Sequence, residues 1–237
     1  MKPLIAVLTC WTFEVNGHND ALRRTWLKDA KGLFDYKFFV GTGQGAEAAA
    51  LPPDTVFLPD VDDGQGAVTY KLRAALRWVC ERDYEFVYRC FPDTYARPER
   101  LLTCGFEAHD YHGDFRGEHA TPDNYPSGGP GNFMSRRVME LALDAPIEGP
   151  GADGKHTRVW PYADDLWFGQ VLNWHRDKGF RYFDDSRFIN RGSRAVGPLK
   201  TNSIVATHLS CPDYPKPYSP GIIAHMLDRH RAWLASQ

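Results

Sequence analysis

The chain has 237 residues, with 28 lysines and arginines against 30 aspartates and glutamates, and 43% of its residues are hydrophobic. That length suffices for one large α/β domain with a well-buried core, and a net charge of −2 without a long basic run offers a nucleic-acid backbone no electrostatic track. Five cysteines, none in a Cys-x-x-Cys pair, leave at least one unpaired, which speaks against a disulfide framework or a structural zinc site and for a reducing compartment.

The run Leu4–Leu8 is continuously apolar, the pattern of a parallel strand covered on both faces. It is too short to span a membrane, and no small-residue cleavage pattern follows it, so a soluble cytoplasmic protein is expected. Trp11–Asn19 reads as a loop, after which Asp20 caps a helix through Leu22 and Leu27 that ends near Gly32. Arg23 and Arg24 sit early in that helix, where the macrodipole does not favour a cation. They serve either a phosphate or carboxylate from elsewhere or a solvated face.

Tyr36–Val40 is a second strand, stopped by a glycine-rich turn that fits neither a P-loop nor a dinucleotide fingerprint. Thr55–Leu58 is a third strand, and Asp60, Asp62 and Asp63 form an acidic loop after it. Val68–Arg82 places Leu72, Leu76 and Val79 at helical spacing. The strand Tyr84–Phe91 then runs into Pro92, which cannot donate to a sheet ladder, so Asp93 stands just past the strand's carboxyl end. In open α/β sheets ligands bind outside those ends. Asp93 either holds a metal, a ribose or a substrate hydroxyl, or merely caps the segment Arg97–Leu102.

Alternating strands and helices make this an α/β domain with a mostly parallel sheet flanked by helices. Beyond residue 110 the reading continues with a strand at Tyr111–Arg116, a strand end and helix over Phe133–Leu143, and a helix over Pro161–Trp174. Late strands at Phe180–Phe183 and Ile204–Leu209 and a terminal helix at Ile222–Leu234 complete it. The glycine- and proline-rich segment Ala145–Trp160 is long enough for a lid or acceptor loop.

Three patches carry candidate chemistry: Asp93, the glycine-rich Ser127-Gly128-Gly129 with Gly131, and the paired acids Asp164-Asp165. Glycines let backbone approach a ligand, while Asp-Asp is also a routine helix cap. Taken in order, Ala21-Leu-Arg-Arg-Thr-Trp26, Phe38-Phe-Val-Gly41, Thr69-Tyr-Lys-Leu72, Tyr84–Asp93, Tyr125-Pro126 with Ser127-Gly128-Gly129 and Ser135, and Asp164-Asp165-Leu166 with Gly169 resemble the glycosyltransferase family of β-1,3-galactosyl- and N-acetylglucosaminyltransferases and Fringe proteins. The resemblance implies a single GT-A-type domain, with residues 1–110 as the nucleotide-sugar-binding half and 111–237 as the acceptor-binding half. It further implies an inverting transfer of a sugar from a UDP-sugar to a hydroxyl of a glycan or lipid-linked acceptor.

Family members carry three acids where this chain has Phe91-Pro92-Asp93, so only the last remains. That last position is the family's metal ligand, and a histidine near the domain's end supplies another, here His208. The resemblance thus implies a reduced Mn²⁺ or Mg²⁺ site on Asp93 and His208. It implies Asp165 as the base, with Asp164 as second choice, and Arg23, Arg24, Lys71, Gly128 and Gly129 around the donor. Members are anchored in the Golgi, whereas no membrane anchor is read in this chain. The missing acids keep open a non-catalytic domain that binds a glycan or nucleotide, and carboxylates with His208 keep open a metal-dependent hydrolase.

Overall fold

All five residues of β1 (Leu4–Leu8) are buried, and they alternate between two cores. Leu4, Ala6 and Leu8 face one layer of helices, while Ile5 and Val7 face another. That two-sided burial is why the strand reads as an unbroken apolar run. A computed structural model describes residues 2–43, 51–115, 127–148, 163–189, 204–209 and 221–235.

After β1 come helices α1 (Trp11–Val15), α2 (His18–Arg24) and α3 (Trp26–Ala30), then β2 (Asp35–Thr42), β3 (Thr55–Asp62), α4 (Val68–Cys80) and β4 (Phe86–Cys90). The next elements are β5 (Thr94–Ala96), α5 (Pro98–Thr103), β6 (Tyr111–Gly113), β7 (Asn132–Ser135), α6 (Arg136–Asp144) and α7 (Asp164–Trp174). Strands β8 (Tyr182–Asp184), β9 (Phe188–Ile189) and β10 (Ala206–His208) and helix α8 (Gly221–Leu234) follow. The main sheet has seven strands in the order β3-β2-β1-β4-β7-β6-β8. Its pairs are parallel except those of β7, which runs against both β4 and β6. The expected mostly parallel α/β sheet is what forms.

Helices α4, α6 and α7 cover one face through Leu72, Leu76 and Val79, Val138 and Met139, and Trp167 and Phe168. The other face is covered by Leu22, Trp26 and Leu27, with Leu101 and Met226. Among the described residues no helix is long and apolar enough to cross a membrane. Cys10, Cys80, Cys90 and Cys104 are free and buried, while Cys211 and most of the lid-like segment, from 149, lie outside the described residues.

Two expectations about the first helix need correction. The stretch Trp11–Asn19 is not a loop but holds α1 and the start of α2, joined at Gly17 with φ of 79°, a left-handed geometry that glycine adopts without strain. Asp20 therefore lies inside α2 rather than capping it. The helix also breaks at Thr25, whose hydroxyl donates to the Ala21 carbonyl at 2.7 Å, a local bond that bends helices. The Trp26 indole then donates to the Thr94 carbonyl at 3.0 Å, tying α3 to β5.

Asp63, read from sequence only as part of an acidic loop, is buried and joins three elements. Its Oδ2 accepts from the Trp11 amide at 2.6 Å, and its Oδ1 accepts from the Gly41 amide and from Lys71 Nζ, each at 2.7 Å. Lys71 also donates to the Thr9 carbonyl at 2.6 Å. At Gly41 a Cβ would lie 2.5 Å from the Val61 carbonyl oxygen, so β2 and β3 approach this closely only because that residue is glycine.

A second buried carboxylate, Asp185, lies with His112 Nε2 at 2.7 Å and accepts from Arg187 Nε and Nη2 at 2.8 and 2.6 Å. Burial opposes its ionisation, but the bonds to His112 and Arg187 outweigh that and hold its carboxyl well below the usual range.

Asp63→Ala leaves the Lys71 ammonium buried without its counter-charge and is expected to cost roughly 3–5 kcal/mol of stability, read from urea unfolding. Asp185 has a depressed pKa, so its contribution is present above the unfolded value of about 3.9 and fades as pH falls toward the lower folded value. Asp185→Asn is therefore expected to flatten the loss of stability between about pH 4 and about pH 2, followed by thermal unfolding at each pH.

Candidate active site

The ends of β1, β3 and β4 open into a pocket of about 350 Å³. Its walls come from Thr9 and Cys10 after β1, Asp63 to Gln65 after β3, and Phe91 to Asp93 after β4. Gly128, Gly129, Asp164, Asp165 and His208 complete the far side. This is the crevice outside the carboxyl ends of parallel strands where α/β sheets bind ligands.

Asp93 follows Pro92, just past β4, and does not cap α5, whose N-cap is Arg97 without a side-chain bond. Instead its Oδ2 lies 2.8 Å from His208 Nε2. A small second sheet makes this pair: β10 runs antiparallel to β5, setting His208 opposite Thr94, and pairs parallel with β9. Asp93 Oδ1 is buried without a hydrogen-bond partner among the described residues. Among the described residues, no group of three or more histidines, cysteines or acids is placed to hold a metal. Among the described residues, Asp93 and His208 are thus the carboxylate and imidazole that meet at this point.

The paired acids at the start of α7 divide. Asp164 is buried in an ion pair with Arg89 of β4. Asp165 lines the pocket: its Oδ1 accepts from the Leu166 amide at 2.9 Å, and its Oδ2 lies 3.4 Å from the Gly128 amide. Asp164 is thereby engaged with Arg89, and Asp165 is the less constrained carboxylate. Gly128 lies against the Arg89 guanidinium, where a Cβ would collide with Nη1. The Gly129 carbonyl accepts from the Thr94 hydroxyl at 2.9 Å, which anchors the glycine turn to β5.

The three basic residues singled out from sequence divide as well. Lys71 lines the pocket, but its ammonium is committed to Asp63 and the Thr9 carbonyl. Arg23 lies outside the pocket lining, with its guanidinium held by Glu14 at 2.7 Å and Asp54 at 2.9 Å over the Phe38 ring. Burial works against that charge, yet the two carboxylates more than offset it and raise the Arg23 pKa. Arg24 is exposed and meets Asp20 one turn away. Read from sequence, the two arginines serve either a phosphate or carboxylate from another element or a solvated face, and exposed Arg24 fits the solvated face. Arg23 meets protein carboxylates, because Glu14 and Asp54 are near enough to fork onto it. Tyr125 and Pro126 lie outside the described residues, and the Ser135 hydroxyl donates to Asp110 at 3.0 Å.

Sequence reasoning missed Arg89, Asp63 and Cys10. Arg89 had a signal, since a charge inside an apolar strand demands a buried partner. Burial pushes the pKa of the pocket-lining Cys10 thiol up, away from the range of an activated thiolate.

No protein-family model and no curated protein matches the chain. Among solved structures, the chain is similar to a glycosyltransferase involved in the glycosylation of the major capsid of PBCV-1, with 12% identity over 95% of this chain and 100% of that one and a TM-score of 0.51. The galactosyltransferase LgtC, solved with donor and acceptor sugar analogues, aligns over 97% of this chain and 95% of its own at 12% identity, with a TM-score of 0.49. At such identity the likeness to the PBCV-1 enzyme is one of fold, and the seven-stranded α/β architecture flanked by helices is of the GT-A glycosyltransferase type.

Proposed function

We propose that the protein is an inverting glycosyltransferase that moves a hexosyl or pentosyl group from a UDP-sugar to a hydroxyl of a glycan or lipid-linked sugar acceptor. The observation that carries this reading is the convergence of Asp93, His208 and Asp165 on one pocket at the carboxyl ends of β1 and β4. The ordered motifs of the β-1,3-galactosyltransferase and Fringe type support the same class.

In the reaction, the acceptor oxygen forms a bond to the anomeric carbon while the bond from that carbon to the UDP phosphate oxygen breaks. The acceptor proton passes to the Asp165 carboxylate, and the bonding electrons leave with UDP. Asp165 suits the role because it lines the pocket and its neighbour Asp164 is tied to Arg89. Its two oxygens meet only backbone N–H groups among the described residues. The Gly128-Gly129 turn brings backbone, without side chains, against the bound sugars.

Asp93 and His208 are the residues that would hold a Mn²⁺ or Mg²⁺ ion, as a two-residue site. Asp93 Oδ1 is buried and meets no hydrogen-bond donor among the described residues, and oxygens of the diphosphate and water would complete the shell. When bound, such an ion supplies positive charge against the developing charge on UDP.

One observation favours a second reading, a non-catalytic domain that binds a nucleotide or glycan: Phe91 and Pro92, rather than acids, line the wall beside Asp93. Calorimetric titration of UDP, with and without Mn²⁺, together with UDP release assayed with and without acceptor, separates the two. We expect Mn²⁺-dependent UDP binding that Asp93→Ala or His208→Ala abolishes, and Asp165→Asn that binds UDP normally but loses about 10²–10⁴-fold in kcat. Equal UDP binding without metal would remove Asp93 and His208 as ligands. Binding without acceptor-stimulated UDP release would leave the binder.

A further inference from the structure

Among the described residues, Arg89 is the largest charged side chain that is completely buried, at 1% exposure, and nothing in the proposed chemistry uses it. It stands on β4, flanked by apolar Tyr88 and Cys90. Its charge meets the Asp164 carboxylate, and no other hydrogen-bond acceptor reaches its nitrogens among the described residues. Burial lowers its pKa, and the nearby Asp165 carboxylate is the strongest opposing influence. A buried pair of this kind is a poor source of stability, since apolar side chains of similar volume often serve as well. Its surroundings show what else it can do.

Three contacts radiate from the guanidinium, and two of them lead to the same carboxylate. Asp164 is the first residue of α7 and the chain neighbour of Asp165. Gly128 packs on the guanidinium, where a Cβ would stand only 3.0 Å from Nη2 and 3.1 Å from Cζ, and its amide faces Asp165 Oδ2. On a third side the Phe91 ring centroid lies 4.4 Å from Arg89 Cζ, and Phe91 itself lines the pocket.

We propose that Arg89 is a positioning residue that orients the Asp165 carboxylate toward the pocket, by anchoring both the start of α7 through Asp164 and the Gly128 backbone that meets that carboxylate. The inference rests on the reading of Asp165 as the base. It adds a residue that touches no substrate, and it explains why position 128 has no side chain. A single pairing then sets the direction of a carboxylate contributed by the other half of the chain.

The test compares the parent protein with Arg89→Lys and with the double variant Arg89→Met/Asp164→Leu, which leaves no unpaired buried charge. Folding is checked by circular dichroism and thermal unfolding. Two readouts are taken: kcat and donor KM, and the NMR pH titration of the Gly128 amide, which reports ionisation of the carboxylate beside it. In the folded double variant kcat is expected to fall roughly 10- to 100-fold at a donor KM within about twofold of the parent. The Gly128 amide is expected to lose its carboxylate-linked titration, and Arg89→Lys should fall between the two proteins on both readouts. A folded double variant with parental kcat and a parental Gly128 titration would make the pair purely structural and overturn the proposal. Should the double variant fail to fold, Arg89→Lys decides by the same two readouts. A parent protein that turns over no UDP-sugar would sink the transferase reading instead, and the Gly128 titration would still decide the role of Arg89.

Discussion

Asp63 draws the Trp11 amide, the Gly41 amide and the Lys71 ammonium onto one buried carboxylate. Through these bonds the chain leaving β1, the end of β2, the turn after β3 and the helix α4 are held at one point. Lys71 extends the link to the Thr9 carbonyl. Since the pocket floor is made of the chain ends that this carboxylate gathers, its shape depends on charges that no ligand has to touch. Desolvating them is costly, and the cost is offset only because each oxygen of Asp63 and the lysine are fully engaged.

The same logic divides the polar side chains of the pocket into two kinds. Asp63 with Lys71, and Asp164 with Arg89, are mutually neutralised pairs that belong to the architecture. Asp93 with His208, and Asp165, are partly open to the pocket. Catalytic groups must be able to exchange partners as a reaction proceeds, whereas groups locked in a buried pair cannot do so cheaply. The division separates two adjacent aspartates that look equivalent in the sequence, Asp164 in a buried pair and Asp165 facing the pocket.

Most of the element plan was legible because burial follows periodicity. The unbroken apolar run of β1, the spacing of Leu72, Leu76 and Val79 on α4, and the proline that ends β4 before Asp93 each carry their own physical signal. The start of the chain's first helix was less legible. Gly17 and Thr25 divide it through backbone conformation and a local hydroxyl bond, which apolar spacing does not encode. Arg23 was visible as an anomalous cation, but its partners lie 9 and 31 residues away, and a single sequence does not reveal which carboxylates fold onto it. Asp93 and His208 could be paired only through a family likeness, because their meeting depends on a sheet built from three short, unremarkable strands.

That small sheet has a bearing on how the protein comes to be assembled. Asp93 and His208 are 115 residues apart in the chain, while β1 to β4, which precede Asp93, are complete by residue 90. During synthesis, which proceeds from the N-terminus, β1, β2 and β3 have their partners long before β10 emerges. Pairing β10 with β5 closes a large loop and incurs its entropic cost late. The nascent chain therefore passes through a stage in which the parallel strands β1 to β4 can exist while the Asp93 carboxylate still lacks its histidine.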